Sequence, residues 1–406
     1  MTQHRVLAGF ALAAALFAGG GCAGVLHPAK SASQLGQLLR SETTQIDVDV
    51  PGKLGDLFRT MADRFGKSGK PQLASFFEAQ AEGAFGSGLL VNVGGDVFVV
   101  TNHHVVDFVN EAKVRFDSSD TNYPVEVLYA DDKYDLAILT FVGARPKERG
   151  LELSTTPAHD LDNVFASGFP GLDDKPSYQT THGQVSNERF AGADGEPGTF
   201  IQHTAPIDPG SSGGPLVNDR GEVVGINTLK YTGRDNVYLA IPVDIVRRVL
   251  ATAGDTKKNR TDLKWLVKKL GEACQSFVDA MRTEDEPGDA LVNLVTNDLV
   301  ADRGFDSLDK LDEKNDKETW EAFFDAPEAS LRAAVAMRLW KEAHGKAGLP
   351  VQCLDAGQKE GEDGVRLAIQ FERGRRETLW SFEQGHWRLS RFDRLSTKGA
   401  RPKTKG

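Results

Sequence analysis

From Phe85 to about Leu250, short runs of Val, Ile and Leu recur between Gly, Asn and Asp punctuation: Leu89–Val93, Val97–Thr101, Val114–Phe116, Val125–Tyr129, Leu136–Phe141, Val164–Ser167, Phe200–His203, Pro215–Val217, Val223–Leu229 and Val237–Ile241. Many short strands with no helices between them predict an antiparallel barrel or sandwich. A helix over Val243–Ala253 closes the region, with Pro242 and Asp244 suited to its N-terminus. Upstream, Leu54–Phe65 and Leu73–Ala81 carry apolar residues at helical spacing, so residues 28–82 predict one or two helices. Downstream, past the polar stretch with Lys257, Lys258 and Arg260, helical spacing returns in Leu263–Ala280, Trp320–Phe324 and Leu331–Trp340. From Val351 the period becomes two. Val365, Leu367, Ile369 and Phe371 alternate with polar residues, followed by Thr378–Phe382 and His386–Phe392, with Gly374 and Gly385 in the turns. This predicts a three-stranded antiparallel meander packed on helices, an α+β module.

A chain of 406 residues with 40% hydrophobic residues has room for two to three domains and an ordinary core. Its net charge of −10 argues against a nucleic-acid surface; the basic end (Lys398, Arg401, Lys403, Lys405) reads as a solvated tail. The three cysteines are too few for a disulfide scaffold or a Cys-rich zinc domain. Neither an HExxH pattern nor an EF-hand loop occurs, so no metal and no cofactor is expected.

His4 and Arg5 precede the apolar run Val6–Phe17, which is too short for a bilayer core of ~30 Å and reads as an export signal. Small residues then lead to Gly21-Cys22-Ala23, which resembles the lipobox of bacterial lipoproteins, although Gly19 stands where Leu is usual. Lipidation of Cys22 would anchor the chain to a membrane in the cell envelope, whereas simple cleavage would release it into the periplasm. Cys274 and Cys353 then remain, either as a disulfide or as two buried thiols.

Three short motifs carry chemistry. In Asp208-Pro209-Gly210-Ser211-Ser212-Gly213-Gly214, glycines around a serine allow a tight turn whose amides converge on one spot. A nucleophilic serine needs such donors for the oxyanion formed on attack. Thr101-Asn102-His103-His104-Val105 follows a predicted strand, and either histidine there can act as a general base near neutral pH. Asp132-Lys133-Tyr134-Asp135 opens another strand with an acid able to fix an imidazole tautomer. Each is weak alone, but the order His, Asp, Ser on a β-barrel region is that of a chymotrypsin-type triad.

Residues 85–245 resemble the protease domain of the HtrA/Deg-type trypsin-like serine proteases. The resemblance is carried by Phe85-Gly86-Ser87-Gly88, Thr101-Asn102-His103-His104-Val105, Asp135-Leu136-Ala137-Ile138-Leu139, Gly168-Phe169-Pro170-Gly171, Gly183-Gln184-Val185-Ser186, Gly225-Ile226-Asn227-Thr228 and Ala240-Ile241-Pro242-Val243-Asp244. It implies a mainly β, double-barrel fold, with Ser212 as nucleophile, His104 as general acid/base and Asp135 as its partner. The oxyanion hole would be the N–H groups of Gly210 and Ser212. The second histidine holds the family's catalytic place, and adjacent strand-end residues point oppositely, so His103 is set aside. The pocket walls would come from Ala205–Pro209 and Ile226–Thr228, thus Ile207, Ile226, Asn227 and Thr228. His203 would be either a reader of acidic substrates or a strand histidine. Pro206-Ile207 offers no acid, which favours a small or medium aliphatic residue before the cut. Departures are Ser211 in place of Asn and Pro206 in the loop that shapes the oxyanion hole; in this family that loop is often ordered only by a partner or substrate. No PDZ-like sequence follows.

The expected organisation is a signal peptide with lipobox at 1–22, a helical segment at 23–82, the protease domain at 83–255 and an α+β module at 256–406. The expected function is endoproteolysis of unfolded or exposed polypeptides in the envelope. The rival is a catalytically weak, protease-fold binding or sensor lipoprotein, gated by its C-terminal module through a protein partner. The family's trimers imply a homo-oligomer built on N-terminal contacts.

Overall fold

A computed structural model of the chain describes residues 28–50, 52–67, 69, 71–172, 175–191, 200–230, 236–282, 289–297, 299–301, 327–342, 344, 348–355 and 364–392. The signal segment with Cys22, the helix expected at Trp320–Phe324 and the basic tail lie outside them. Two closed antiparallel barrels form the centre. The first has the strand order β1-β2-β3-β6-β5-β4. Its strands are β1 (Thr43–Val48), β2 (Ala84–Val93), β3 (Asp96–Thr101), β4 (Glu111–Phe116), β5 (Tyr123–Asp131) and β6 (Leu136–Phe141). A short helix, α4 (His103–Val106), follows β3. The second barrel, ordered β10-β11-β14-β13-β12-β7, contains β7 (Asn163–Gly168), β10 (Gln179–Phe190), β11 (Phe200–His203), β12 (Pro215–Val217), β13 (Val223–Lys230) and β14 (Tyr238–Pro242). A two-stranded ribbon, β8 (Gly171–Leu172) with β9 (Lys175–Pro176), lies between β7 and β10 in the chain.

The first barrel begins earlier than residue 83. Helix α1 (Ala32–Glu42), opened by a capping box in which Ser31 and Gln34 serve each other's backbone amides, leads directly into β1. β1 pairs Thr43 with Leu89 on one side and Thr44 with Phe116 on the other. Its first three residues, Thr43, Thr44 and Gln45, are buried yet polar, and only Ile46 and Val48 within it carry the apolar alternation.

Helices α2 (Gly52–Lys67) and α3 (Pro71–Glu82) are inserted between β1 and β2 and leave the barrel altogether. Leu54, Phe58, Met61 and Phe77 share one core with α6 (Leu263–Ala280), α7 (Asp289–Val292), α8 (Pro327–Glu342) and the C-terminal sheet. That sheet is a meander of four strands, not three: β15 (Pro350–Asp355), β16 (Val365–Phe371), β17 (Gly374–Glu383) and β18 (His386–Phe392), in chain order. Phe277, Leu331, Val335, Ile369, Trp380 and Phe392 fill the layer between helices and sheet. Cys274 on α6 and Cys353 on β15 form a disulfide with a Cα separation of 6.4 Å. Helix α5 (Val243–Asn259) closes the protease-like region: Ile245, Val246, Val249 and Leu250 pack into the interface of the two barrels.

Candidate active site

The three candidate residues come from three segments that meet between the barrels: His104 from α4, Asp135 from the turn into β6, and Ser212 from the loop before β12. The His104 Nδ1 lies 2.9 and 3.0 Å from the two Asp135 carboxylate oxygens, and its backbone N–H donates to the same carboxylate at 3.0 Å. Thr228 Oγ1 donates to Asp135 Oδ2 at 2.8 Å, and Asn102 Nδ2 holds the Asp135 carbonyl at 2.9 Å. Burial works against the Asp135 charge. The facing His104, its amide and the Thr228 hydroxyl outweigh burial and hold the carboxyl below the usual carboxylate range. Asp135 has φ +50°, the left-handed region that Asp and Asn tolerate better than other side chains.

Ser212 Oγ donates to the carbonyl of Thr228 at 2.9 Å. Thr228 therefore bridges the nucleophile candidate and the acid, one through its carbonyl and one through its hydroxyl. Sequence reasoning had placed it in the pocket wall.

In the loop 208–214 most backbone amides are already committed. Ser211 N–H is used up on the Asp208 carbonyl (2.9 Å), Gly213 N–H on Asn227 O (2.8 Å) and Gly214 N–H on Ser211 O (3.1 Å). Among the described residues, no acceptor takes the N–H of Gly210 or of Ser212. Gly210 reaches this shape at φ +97° and Gly213 at φ +87°, and a Cβ on Gly213 would collide with Ser87 O and Thr101 Oγ1. Pro206 is accommodated, its carbonyl accepting from Thr181 Oγ1 at 2.7 Å. Ser211, standing where the family has Asn, is tied into the same turn: its Oγ accepts from the Asp208 N–H at 3.4 Å.

Ser87 was quoted only as part of a motif, yet it stitches this loop to the first barrel. Fully buried, it donates from Oγ to Gly210 O (2.6 Å), accepts from Phe169 N–H (2.8 Å) and donates its amide to Ser212 O (2.9 Å). Ser87→Ala removes the first two of these bonds and frees the Gly210 peptide to turn. We expect a roughly 10- to 100-fold lower kcat with little change in KM, because ground-state binding does not use that amide. Steady-state kinetics on a peptide substrate check this.

The pocket candidates separate. Ile207 and Thr228 are buried beside the serine loop. Ile226 packs into the core between the two barrels beside Ile241 and Ile245, and buried Asn227 spends its side-chain N–H₂ on Pro215 O at 3.0 Å. His203 is enclosed in the same barrel beside Tyr238, and burial pushes its imidazole down to about 4, leaving it neutral.

His103, set aside from catalysis, has a different task. Its Nε2 lies 3.2 Å from Asp107 and its Nδ1 3.0 Å from Asp132. Burial alone would push His103 down, but Asp107 and Asp132 outweigh it and hold it up to about 9. A histidine raised above its unfolded value of roughly 6.5 stabilises the fold fully below that pH and loses this contribution as pH rises through about 9. Denaturant midpoints should therefore fall between pH 6.5 and 9.5, and His103→Gln should flatten that slope; an equal slope in the variant would refute the assignment.

Residues 86–226 match the family model of the trypsin-like peptidase domain. A probable periplasmic serine endoprotease DegP-like of Pseudomonas fluorescens is 32% identical over 244 residues, which is 56% of this chain and 46% of that protein. The serine protease HTRA1 of Xenopus tropicalis is 34% identical over 205 residues, 47% of this chain and 42% of its own length. This chain thus spans under half the length of these curated relatives. A serine endoprotease of Yersinia pestis superposes with a TM-score of 0.41 at 22% identity, covering 55% of this chain and 66% of that structure.

Proposed function

We propose that the chain, whose residues 86–226 are a trypsin-like peptidase domain related to DegP-like and HtrA-type endoproteases, is itself a serine endopeptidase. The observation that carries the reading is the hydrogen-bonded connection Ser212–Thr228–Asp135–His104, with the free amides of Gly210 and Ser212 beside it. Asp135 accepts a hydrogen bond from His104 Nδ1–H, which fixes the tautomer and leaves Nε2 as a base. Ser212 turns its hydroxyl from the Thr228 carbonyl to that nitrogen and attacks the scissile carbonyl carbon, while His104 takes the proton. The oxyanion is received by the Gly210 and Ser212 amides, which need no reorganisation. His104 then protonates the leaving amine, and water hydrolyses the acyl-enzyme by the reverse sequence of proton transfers.

Ile207 and Thr228, with no acid at Pro206-Ile207, favour a small or medium aliphatic residue before the cut. Unfolded or exposed polypeptide is the substrate class. The cell envelope is the site of action, with Cys22 as lipid anchor; the periplasmic DegP-like relatives support that compartment. The test is digestion of reduced casein by the full chain. Fragments whose new C-termini are Ala, Val, Ile or Leu support the reading. Intact casein after prolonged incubation, from protein that unfolds cooperatively on heating, contradicts it.

A further inference from the structure

Behind the candidate triad, the C-terminal module reaches into the two segments that carry His104 and Asp135. Arg332 of α8 pairs with Asp107 Oδ1 at 2.6 Å and donates to the Asp107 carbonyl at 3.2 Å. Asn297 donates to that same carbonyl at 2.9 Å and accepts from Arg332 at 3.0 Å. Arg388 of β18 faces Asp132 at 3.7 Å. His103 stands between the two acids, next in the chain to His104, while Asp132 lies in the same turn as Asp135. Most of this is buried: Arg332 is 3% exposed, Arg388 1%, His103 and Asp107 6%, while Asp132 is part-exposed.

A second contact reinforces the first. The β17–β18 hairpin turns through Gln384 (φ +52°) and Gly385 (φ +82°), the geometry of a tight two-residue turn. Its tip enters the first barrel: Gln384 Nε2 donates to Val109 O at 2.9 Å, Gln384 O accepts from Ala130 N–H at 3.0 Å, and His386 Nε2 sits 2.7 Å from Ala130 O. Phe108, two residues past α4, is in edge contact with Phe58 of the module's core at 5.3 Å.

We propose that the C-terminal module is a positioning part of the catalytic centre: Arg332, Arg388 and Gln384 lock the segment 103–109 against the segment 128–135, and so hold His104 in register with Asp135. Charges buried to this degree are costly unless paired, and His103 completes the pairing only when both acids stand where the arginines put them. The triad geometry of one domain is thereby made dependent on another. The inference rests on the serine-peptidase reading, and its test separates the two.

Full-length parent, Arg332→Met, Arg332→Lys and Gln384→Met proteins would be titrated to end-point with a fluorophosphonate, and kcat and KM taken per titrated serine on a casein-derived peptide. The end-point counts only competent molecules, so partial unfolding does not register as slow chemistry. Arg332→Met is expected to lower kcat per site at least 30-fold with KM within twofold, Arg332→Lys to recover most of that loss, and Gln384→Met to lower kcat about fivefold. If Arg332→Met does not fold, Gln384→Met, which removes no charge, decides alone. Unchanged kcat per titrated site in the folded variants, whatever their melting temperatures, overturns the positioning role and leaves the peptidase reading intact. A parent protein that takes up no label and cuts no peptide overturns both.

Discussion

Ser212→Ala is expected to lower kcat about 10⁶-fold while leaving the fold and KM nearly unchanged, the magnitude seen when a triad nucleophile is removed. The fold should survive because, among the described residues, the Ser212 side chain's hydrogen bond is the one to the Thr228 carbonyl. Its backbone is held independently: the Ser212 carbonyl accepts from Ser87, and Gly213 and Gly214 are bonded across the loop. What alanine removes is the oxygen that must attack, and no other hydroxyl can substitute. Ser211 Oγ, one residue away, is within reach of the Asp208 amide on the far side of the turn. A residual rate above water would remain, because the Gly210 and Ser212 amides still receive an oxyanion formed by attacking water. Casein-peptide turnover and a melting curve measure both halves of the expectation. A loss under 100-fold with an unchanged melting curve would mean that another residue is the nucleophile.

Asp135→Asn should cost about 10⁴ in kcat through a different cause. The carboxylate accepts four contacts: two distances to His104 Nδ1, the His104 amide and the Thr228 hydroxyl. All approach as donors. An amide side chain has one acceptor and one donor end, so it keeps the His104 backbone N–H on its oxygen only by turning its N–H₂ toward Nδ1 and the Thr228 hydroxyl, which must then accept. His104 must then carry its proton on Nε2, the nitrogen that has to take the proton from Ser212. Asparagine is the right probe because it tolerates the φ of +50° at this position, so the backbone need not move. The defect should be relieved at high pH, where the serine hydroxyl needs less help to ionise. Measuring kcat/KM from pH 6 to 10 tests this: a deficit that does not narrow on the alkaline side would show that geometry, and not the tautomer, had been lost.

The short β-runs and the His, Asp, Ser order made both barrels and the candidate triad legible, because each rests on local chemistry. Strand period two, tight glycine turns and an acid opening a strand are written in contiguous residues. β1 escaped although Ile46, Val48 and Val50 alternate with Asp47 and Asp49, because its first half is the polar, buried Thr43-Thr44-Gln45, and a boundary drawn at residue 83 cuts the barrel open. The edge strand β15, read only as the onset of alternation at Val351, pairs on one side with β16 and carries the weaker half of the pattern. His103 was judged on whether it could face the serine, and the alternation argument set it aside. Its actual partners include Asp107, itself gripped by Arg332 from 225 residues away, a separation that no periodicity reports. The same holds for Gln384, whose carbonyl partner Val109 lies 275 residues before it. Pairings of that range follow from how α2, α3 and the C-terminal elements build one core against the first barrel, and only coordinates reveal it.

The pocket candidates differ in what else holds them. Along β13, strand alternation sends Asn227 to the face opposite Ile226, and Ile226 is taken up by the core between the barrels. Asn227 turned out to clamp Pro215, and His203 to be a neutral core imidazole.

Covalent labelling tests the central claim most directly. The full chain would be treated with a fluorophosphonate, digested and mapped by mass spectrometry beside His104→Ala. The account predicts a single phosphonylated peptide containing Ser212, absent in the His104 variant because no base then activates the hydroxyl. Label on another serine, or equal label on Ser212 with and without His104, would contradict it.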